Sequence, residues 1–261
     1  MELSTPIGIV LALIGVGVGM VIKGASLTAL INPAAFLIII VGAIACVFNA
    51  FPLEHVLKIG GIVKKLIFKP VLPPKEDLIM LFIDLAQVAR RDGLLALESR
   101  LNQFEDPFMV TGLSMIIDGM DPELVYDVLA ADISGMEERH REGAAILTQA
   151  GTYAPCLGVL GAVIGLIAAL GNLTDIEKLG HSIAAAFVAT MLGIFTGYVI
   201  CLPFANKLKF ISKQEADIKK MMLEGILSLQ AGTSATGIKN KMLVFLSQAE
   251  RDKMKSKLGD L

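Results

Sequence analysis

A chain of 261 residues in which 54% are hydrophobic and only 18% charged is too apolar for an ordinary soluble domain and points to a membrane. Its formal net charge of −2 hides two polar segments of opposite sign, since residues 52–150 carry ten basic and sixteen acidic side chains while residues 205–261 carry eleven and six. No basic stripe interleaved with aromatics exists, so nucleic acid is not expected as a partner, and Cys46, Cys156 and Cys201 sit in apolar runs without metal-ligand spacing.

A helix needs roughly 17 to 25 residues to cross a hydrocarbon core of about 30 Å, and four stretches qualify. The first, residues 5–22, opens on Thr5 and Pro6, a polar cap followed by proline at the first helical position. With no basic residue before it and a second full-length span close behind, it reads as a retained helix and not as a cleaved signal. The second, residues 33–51, starts with Asn32 and Pro33 and stops at Pro52. The stretch "EHVLKIGGIVKKLIF" that follows suits either a helix lying on the inner membrane surface or an ordinary connector.

"PPKEDLIMLFIDLAQVARRDG" has acidic residues in its first turn and apolar residues at spacings of three and four, which predicts a helix ending near Gly93. Asp106-Pro107 and Asp121-Pro122 each pair a cap with a first-turn proline, and the helix opened by Asp121 can run on into the third span, residues 152–172. The fourth span covers residues 182–204. In the tail, residues 205–230 read as helix, "AGTSATG" as a breaker, and "SQAE" at 247–250 as a capping box.

Of the 23 lysines and arginines, 21 lie in the two large polar segments, several of them at span ends (Lys58, Lys64, Lys65, Lys207, Lys209), while the short connections hold only Lys23 and Lys178. Basic residues stay on the cytoplasmic side, so both termini are expected inside, with residues 23–32 and 173–181 as outer loops. The expected fold is all-α: a polytopic membrane protein with four transmembrane helices. Residues 1–52 hold the first two spans, 53–150 a cytoplasmic helical loop, 151–205 the last two spans, and 206–261 a cytoplasmic helical tail.

The spans lack something. Between residues 3 and 22, 24 and 53, 143 and 174, and 182 and 206 there is no aspartate, glutamate, lysine, arginine or histidine. A protein that passes an ion through its own bundle places an ionisable group there as the ion's partner, despite a cost of about 2.5 to 3.5 kcal/mol or more. If an ion crosses here, a second protein must bring the carboxylate. The polar atoms at depth are hydroxyls, Thr190 and Thr196 in the fourth span, each of which can instead bond its own helix four residues back. Gly15 and Gly19, Gly161 and Gly165, and Gly193 and Gly197 are spaced for close helix packing in lipid. Pro155 and Pro203, toward the cytoplasmic ends of the last two spans, each remove a helix hydrogen bond, which suits a hinge layer. Plain helix termination is the competing reading, with more weight at Pro203 than at Pro155.

Together "QAGTYAPCLGVLGAVIGLIAALGNL", "LGHSIAAAFVATMLGIFTGYVICLPFANKLK", "INPAAFLIIIVGAI" and "ARRDGLLALESRL" resemble the MotA/PomA family of flagellar motor stator subunits, within the wider MotA/TolQ/ExbB proton channel family. The resemblance implies a homopentameric ring in the inner membrane around a dimer of a single-span, MotB-type subunit. That partner's aspartate would bind the passing proton or sodium ion, and the ring would apply torque to the rotor protein FliG. It also implies that Pro155 and Pro203 are hinge prolines and that Thr190 faces the partner's aspartate. Arg90 and Glu98 would be the rotor-binding charges, with Arg91 as the alternative to Arg90. An ExbB/TolQ-like energiser of envelope transport is the second reading, although those relatives have three spans with the large loop after the first. No glycine-rich phosphate loop, GxSxG or HExxH occurs, so neither an enzyme nor a cofactor is expected.

Overall fold

The computed structural model describes residues 3–57, 60–61, 72–171 and 173–258, and among them every regular element is helical. Lys58, Lys64, Lys65 and most of the surface-helix stretch lie outside the described residues. Four helices are long and apolar enough to cross a membrane: Ser4–Ile22, Leu27–Ala50, Pro122–Leu170 and Ile176–Gln230, with mean hydropathies of 2.3, 2.5, 2.1 and 2.0 over their most apolar windows. The third span is thus the far end of one 49-residue helix that begins at Pro122.

The chain divides into two compact units, one of Met1–Pro70 with His140–Ile211, the other of Val71–Arg139 with Ser212–Leu261. Two of the three divisions fall inside the helices Pro122–Leu170 and Leu202–Gln230, within their polar stretches. The first unit holds the apolar spans and packs thinly. Its clusters are small, such as Ala35, Ile39, Ala154 and Ala189, or Val47, Val56 and Ile146. Apolar side chains gain little by leaving lipid for protein, so alanine and glycine that let backbones approach serve better than bulk. The first span, Ser4–Ile22, buries no residue.

The second unit is built as a water-soluble core is built. Phe82, Leu85, Leu97, Leu113, Ile116, Leu129, Met221 and Ile226 form one cluster, each at most 1% exposed. Burying such side chains yields about 1.5 to 3 kcal/mol each. Gly225 sits under the Phe82 ring, where a Cβ would come within 2.6 Å of ring carbons.

Most helix starts follow the local chemistry. Asn32 Oδ1 accepts from Ala35 N at 3.1 Å, Asp106 from Phe108 N at 2.9 Å and Asp121 from Glu123 N at 2.9 Å. The first helix differs: it begins at Ser4, Leu3 provides no side-chain cap, and the Lys207 ammonium takes the Thr5 hydroxyl. The segment after Gly93 is a 3-10 helix, Leu94–Gln103. Of "AGTSATG" only residues 231–234 form the break between Leu202–Gln230 and Ala235–Leu243, since Ser234 caps the second helix and the last three residues of the stretch are helical.

Candidate functional site

Two groups of candidate residues stand in separate units. In the first unit the third and fourth spans meet backbone to backbone. A Cβ on Gly158 would lie 2.9 Å from the Ala189 carbonyl and 3.0 Å from Gly193 Cα. One on Gly193 would lie 2.7 Å from the Ala154 carbonyl and 2.8 Å from Gly158 Cα, and one on Gly165 would be 3.0 Å from Ala186 Cβ. Only residues without side chains allow this approach. Gly15 and Gly19, by contrast, have nothing within 4 Å. Gly151 and Gly158 escaped the reading by fours; with Gly165 they recur every seven residues, the seam spacing of two packed helices.

Pro155 lies inside the helix Pro122–Leu170, which continues through it. Lacking an N–H, it leaves the carbonyl four residues earlier, Gly151, without its helical donor. Gly197 of the fourth span sits against this spot, since a Cβ there would be 2.5 Å from Gly151 O and 2.9 Å from Pro155 Cδ. Pro203 meets different neighbours: it is exposed and lines a groove with Ser4, Thr5, Gly8, Val199 and Lys207.

The helix does not terminate at Pro203. Immediately before it, Phe195–Cys201 adopts a π-helix in which Leu202 N–H reaches Gly197 O, and Leu202–Gln230 continues from there. A π segment inserts an extra residue into the hydrogen-bond ladder, which accommodates the donor that proline lacks. The termination reading fails for that reason.

Thr190 is half-buried, and its hydroxyl donates to Ala186 O at a long 3.4 Å. Thr148 and Thr152 make the same kind of bond at 2.9 Å, so the Thr190 hydroxyl is the loosely held one. Its neighbours one turn away on the same helix, Phe187 and Ile194, are 72% and 48% exposed. Thr196, also half-buried, lies in the π segment. A separation of six residues sets it roughly 120° around the helix from Thr190, so the two do not share one face.

In the second unit the helix Lys75–Asp92 ends at Gly93, whose φ of 83° is available to glycine at little cost. Around it the charges sort into engaged and open. Arg91 makes a forked contact with Asp92, with Nε 3.0 Å from both oxygens and one terminal nitrogen at 2.7 Å. These hydrogen bonds raise the Arg91 pKa and hold the Asp92 carboxyl below its usual range. Arg100 bonds Asp84 at 2.8 Å. Arg90 and Glu98 are exposed, and among the described residues neither has an ion-pair or hydrogen-bond partner. The sequence left Arg90 and Arg91 as alternatives; Arg91 is occupied by its neighbour, while Arg90 is open.

Comparison with known proteins follows the same lines. The model of the MotA/TolQ/ExbB proton channel family matches residues 100–221. The chain is 50% identical over 251 residues to Motility protein A of Bacillus subtilis (strain 168), covering 96% of this chain and 93% of that one. The structure of the flagellar MotAB stator complex from Bacillus subtilis superposes with a TM-score of 0.91 at 49% identity, covering 98% of this chain and 100% of that one. The structure of C. jejuni MotAB does so with a TM-score of 0.90 at 32% identity, covering 95% and 97%.

Proposed function

The chain belongs to the MotA/TolQ/ExbB proton channel family as a motility-type subunit of an ion-driven flagellar stator, and we propose how its residues divide that work. Copies of the chain, five by the family resemblance, ring a dimer of a single-span MotB-type subunit in the bacterial cytoplasmic membrane, with both termini inside. The partner contributes the carboxylate that binds a proton or a sodium ion, and this chain supplies an uncharged wall around it.

The observation that carries this reading is the absence of any aspartate, glutamate, lysine, arginine or histidine from four apolar spans, in a chain matching a MotAB stator complex over 98% of its length. A permeating cation needs a counter-charge at depth, and a wall without one leaves that role to a neighbour. Thr190, with its weakly engaged hydroxyl on a helix edge beside exposed apolar residues, is the group offered to the partner's carboxylate. Thr196 contributes a second hydroxyl on another face.

Neutralising that carboxylate lets the ring turn against the central dimer, and Pro155 and Pro203 pass the change along helices that run through them without interruption. One ion falling through about 150 mV releases roughly 3.5 kcal/mol. That is too little to unmake a packed core but enough for a bend at two interrupted ladders. Arg90 and Glu98 take the motion to the rotor protein FliG. Exposed ion pairs hold with about 0 to 1 kcal/mol each, weak enough to release at every step.

Deletion of the chain tests the function. Loss of swimming in cells with an intact envelope, restored by the chain together with its single-span partner, is the expected outcome. An uptake or envelope defect with normal motility overturns it in favour of an energiser of envelope transport.

A further inference from the structure

In the unit that carries Arg90 and Glu98 most large apolar side chains are buried or half-buried, and among the described residues the most exposed of those that are not lies between those two charges. Leu95 is 71% exposed, whereas Leu97 is fully buried and Leu94 and Leu101 pack against the core. The 3-10 geometry of Leu94–Gln103 explains which residues go together. With three residues per turn, side chains three apart eclipse one another. Leu94, Leu97 and Arg100 form one row, held inward by the core and by the Arg100–Asp84 bond. Leu95 and Glu98 stand one above the other in the next row and are both exposed, while Leu101 at the far end of that row is half-buried against the core. Arg90 lines a cleft with Leu94, the immediate neighbour of Leu95.

A bare leucine, an open cation and an open carboxylate therefore share one corner of the unit, while the other charges there are consumed by Arg91–Asp92 and Arg100–Asp84. We infer that Leu95 is an apolar anchor of the rotor-facing contact. The surface that receives it offers a shallow apolar pocket bordered by a carboxylate for Arg90 and a cation for Glu98. This rests on the rotor-facing reading of Arg90 and Glu98 and adds the residue that gives the contact holding power. Opposite charges steer and set register, but screened pairs contribute little affinity. Removing one leucine from water contributes enough to hold a contact between steps.

The test uses the full chain co-expressed with its single-span partner in membranes, with rotor-protein binding and tethered-cell torque as readouts. Membrane abundance, co-isolation of the partner and partner-dependent ion flux serve as controls. Leu95→Ala weakens rotor binding by about tenfold or more and Leu95→Asp abolishes it, while Leu95→Met keeps it, all with unchanged controls. The binding left in Leu95→Ala is carried by charge alone and falls more steeply with added salt than that of the parent chain. If Leu95→Ala and Leu95→Asp bind within about twofold of the parent while Arg90→Glu with Glu98→Lys does not, the anchor is refuted and the rotor-facing reading stands. If the charge reversals also bind normally, that reading fails and the anchor falls with it.

Discussion

Gly197 lies against Pro155 so closely that a single added carbon would come 2.9 Å from the proline Cδ and 2.5 Å from the carbonyl of Gly151. The proline removes the donor that carbonyl would have had, and the glycine of the neighbouring span fills the space with its bare Cα. Sequence distance hides the relationship; helix packing creates it.

Gly197→Ala therefore forces the third and fourth spans apart. Overpacking of this kind costs about 1 to 3 kcal/mol, which here means a lower thermal midpoint of the detergent-solubilised complex and reduced torque. Gly15→Ala, where nothing lies within 4 Å, leaves both unchanged. Equal stability of the two variants would show that the seam is not close-packed.

Charge reversal at the open pair separates rotor contact from assembly. Arg90→Glu combined with Glu98→Lys abolishes swimming while the complex still assembles in the membrane. Arg91→Ala, which removes a side chain already held by Asp92, lowers torque much less. Swimming by the double reversal at normal speed would exclude these residues from the rotor contact.

Purified alone and reconstituted into liposomes, the chain carries no steady current, because its spans hold no carboxylate or basic side chain to partner an ion. Current appears when the single-span partner is co-reconstituted. Thr190→Val keeps the shape but removes the hydroxyl. It lowers that partner-dependent current while leaving assembly intact, and Thr190→Ser restores most of it. A current from the chain by itself would overturn the division of labour.

The helix Gln248–Leu258 is tied at its start by Ser247, whose hydroxyl and backbone N–H donate to Glu250 Oε2 at 2.6 and 2.8 Å. Those bonds hold the Glu250 carboxyl below the ordinary glutamate range. A carboxyl lowered on folding stabilises fully above the ordinary glutamate value of about 4.3 and loses that contribution as pH falls through its lower folded value. The Ser247 amide resonance should thus shift in the acid range below about pH 4.3 as the helix start frays, and Glu250→Gln removes the transition. A titration at the free-glutamate value would mean that the box is open in solution.

How far the sequence reached is visible in its helix starts. Asn32, Asp106 and Asp121 cap the helices their Asx-Pro pairs announce, because a cap acts within three residues. Thr5, with the same signature, does not cap, because its hydroxyl is engaged by an ammonium 202 residues away. The four spans were legible from hydropathy alone, and the run of the third span back to Pro122 from the cap and proline at its start. The π segment before Pro203 was not, since a one-residue change of hydrogen-bond register leaves no mark on apolar periodicity. In the charged loop the residue types by themselves read as a solvated face; the family resemblance singles out Arg90 and Glu98, and only the contact with Asp92 distinguishes Arg91 from Arg90.

Where Gly158 and Gly193 touch, no rotamers stand between the two backbones to be exchanged. A displacement of either helix reaches its neighbour without first being absorbed in rearranging flexible groups. In mechanical terms the pair has almost no backlash, which suits a machine that must deliver each small increment of work in full.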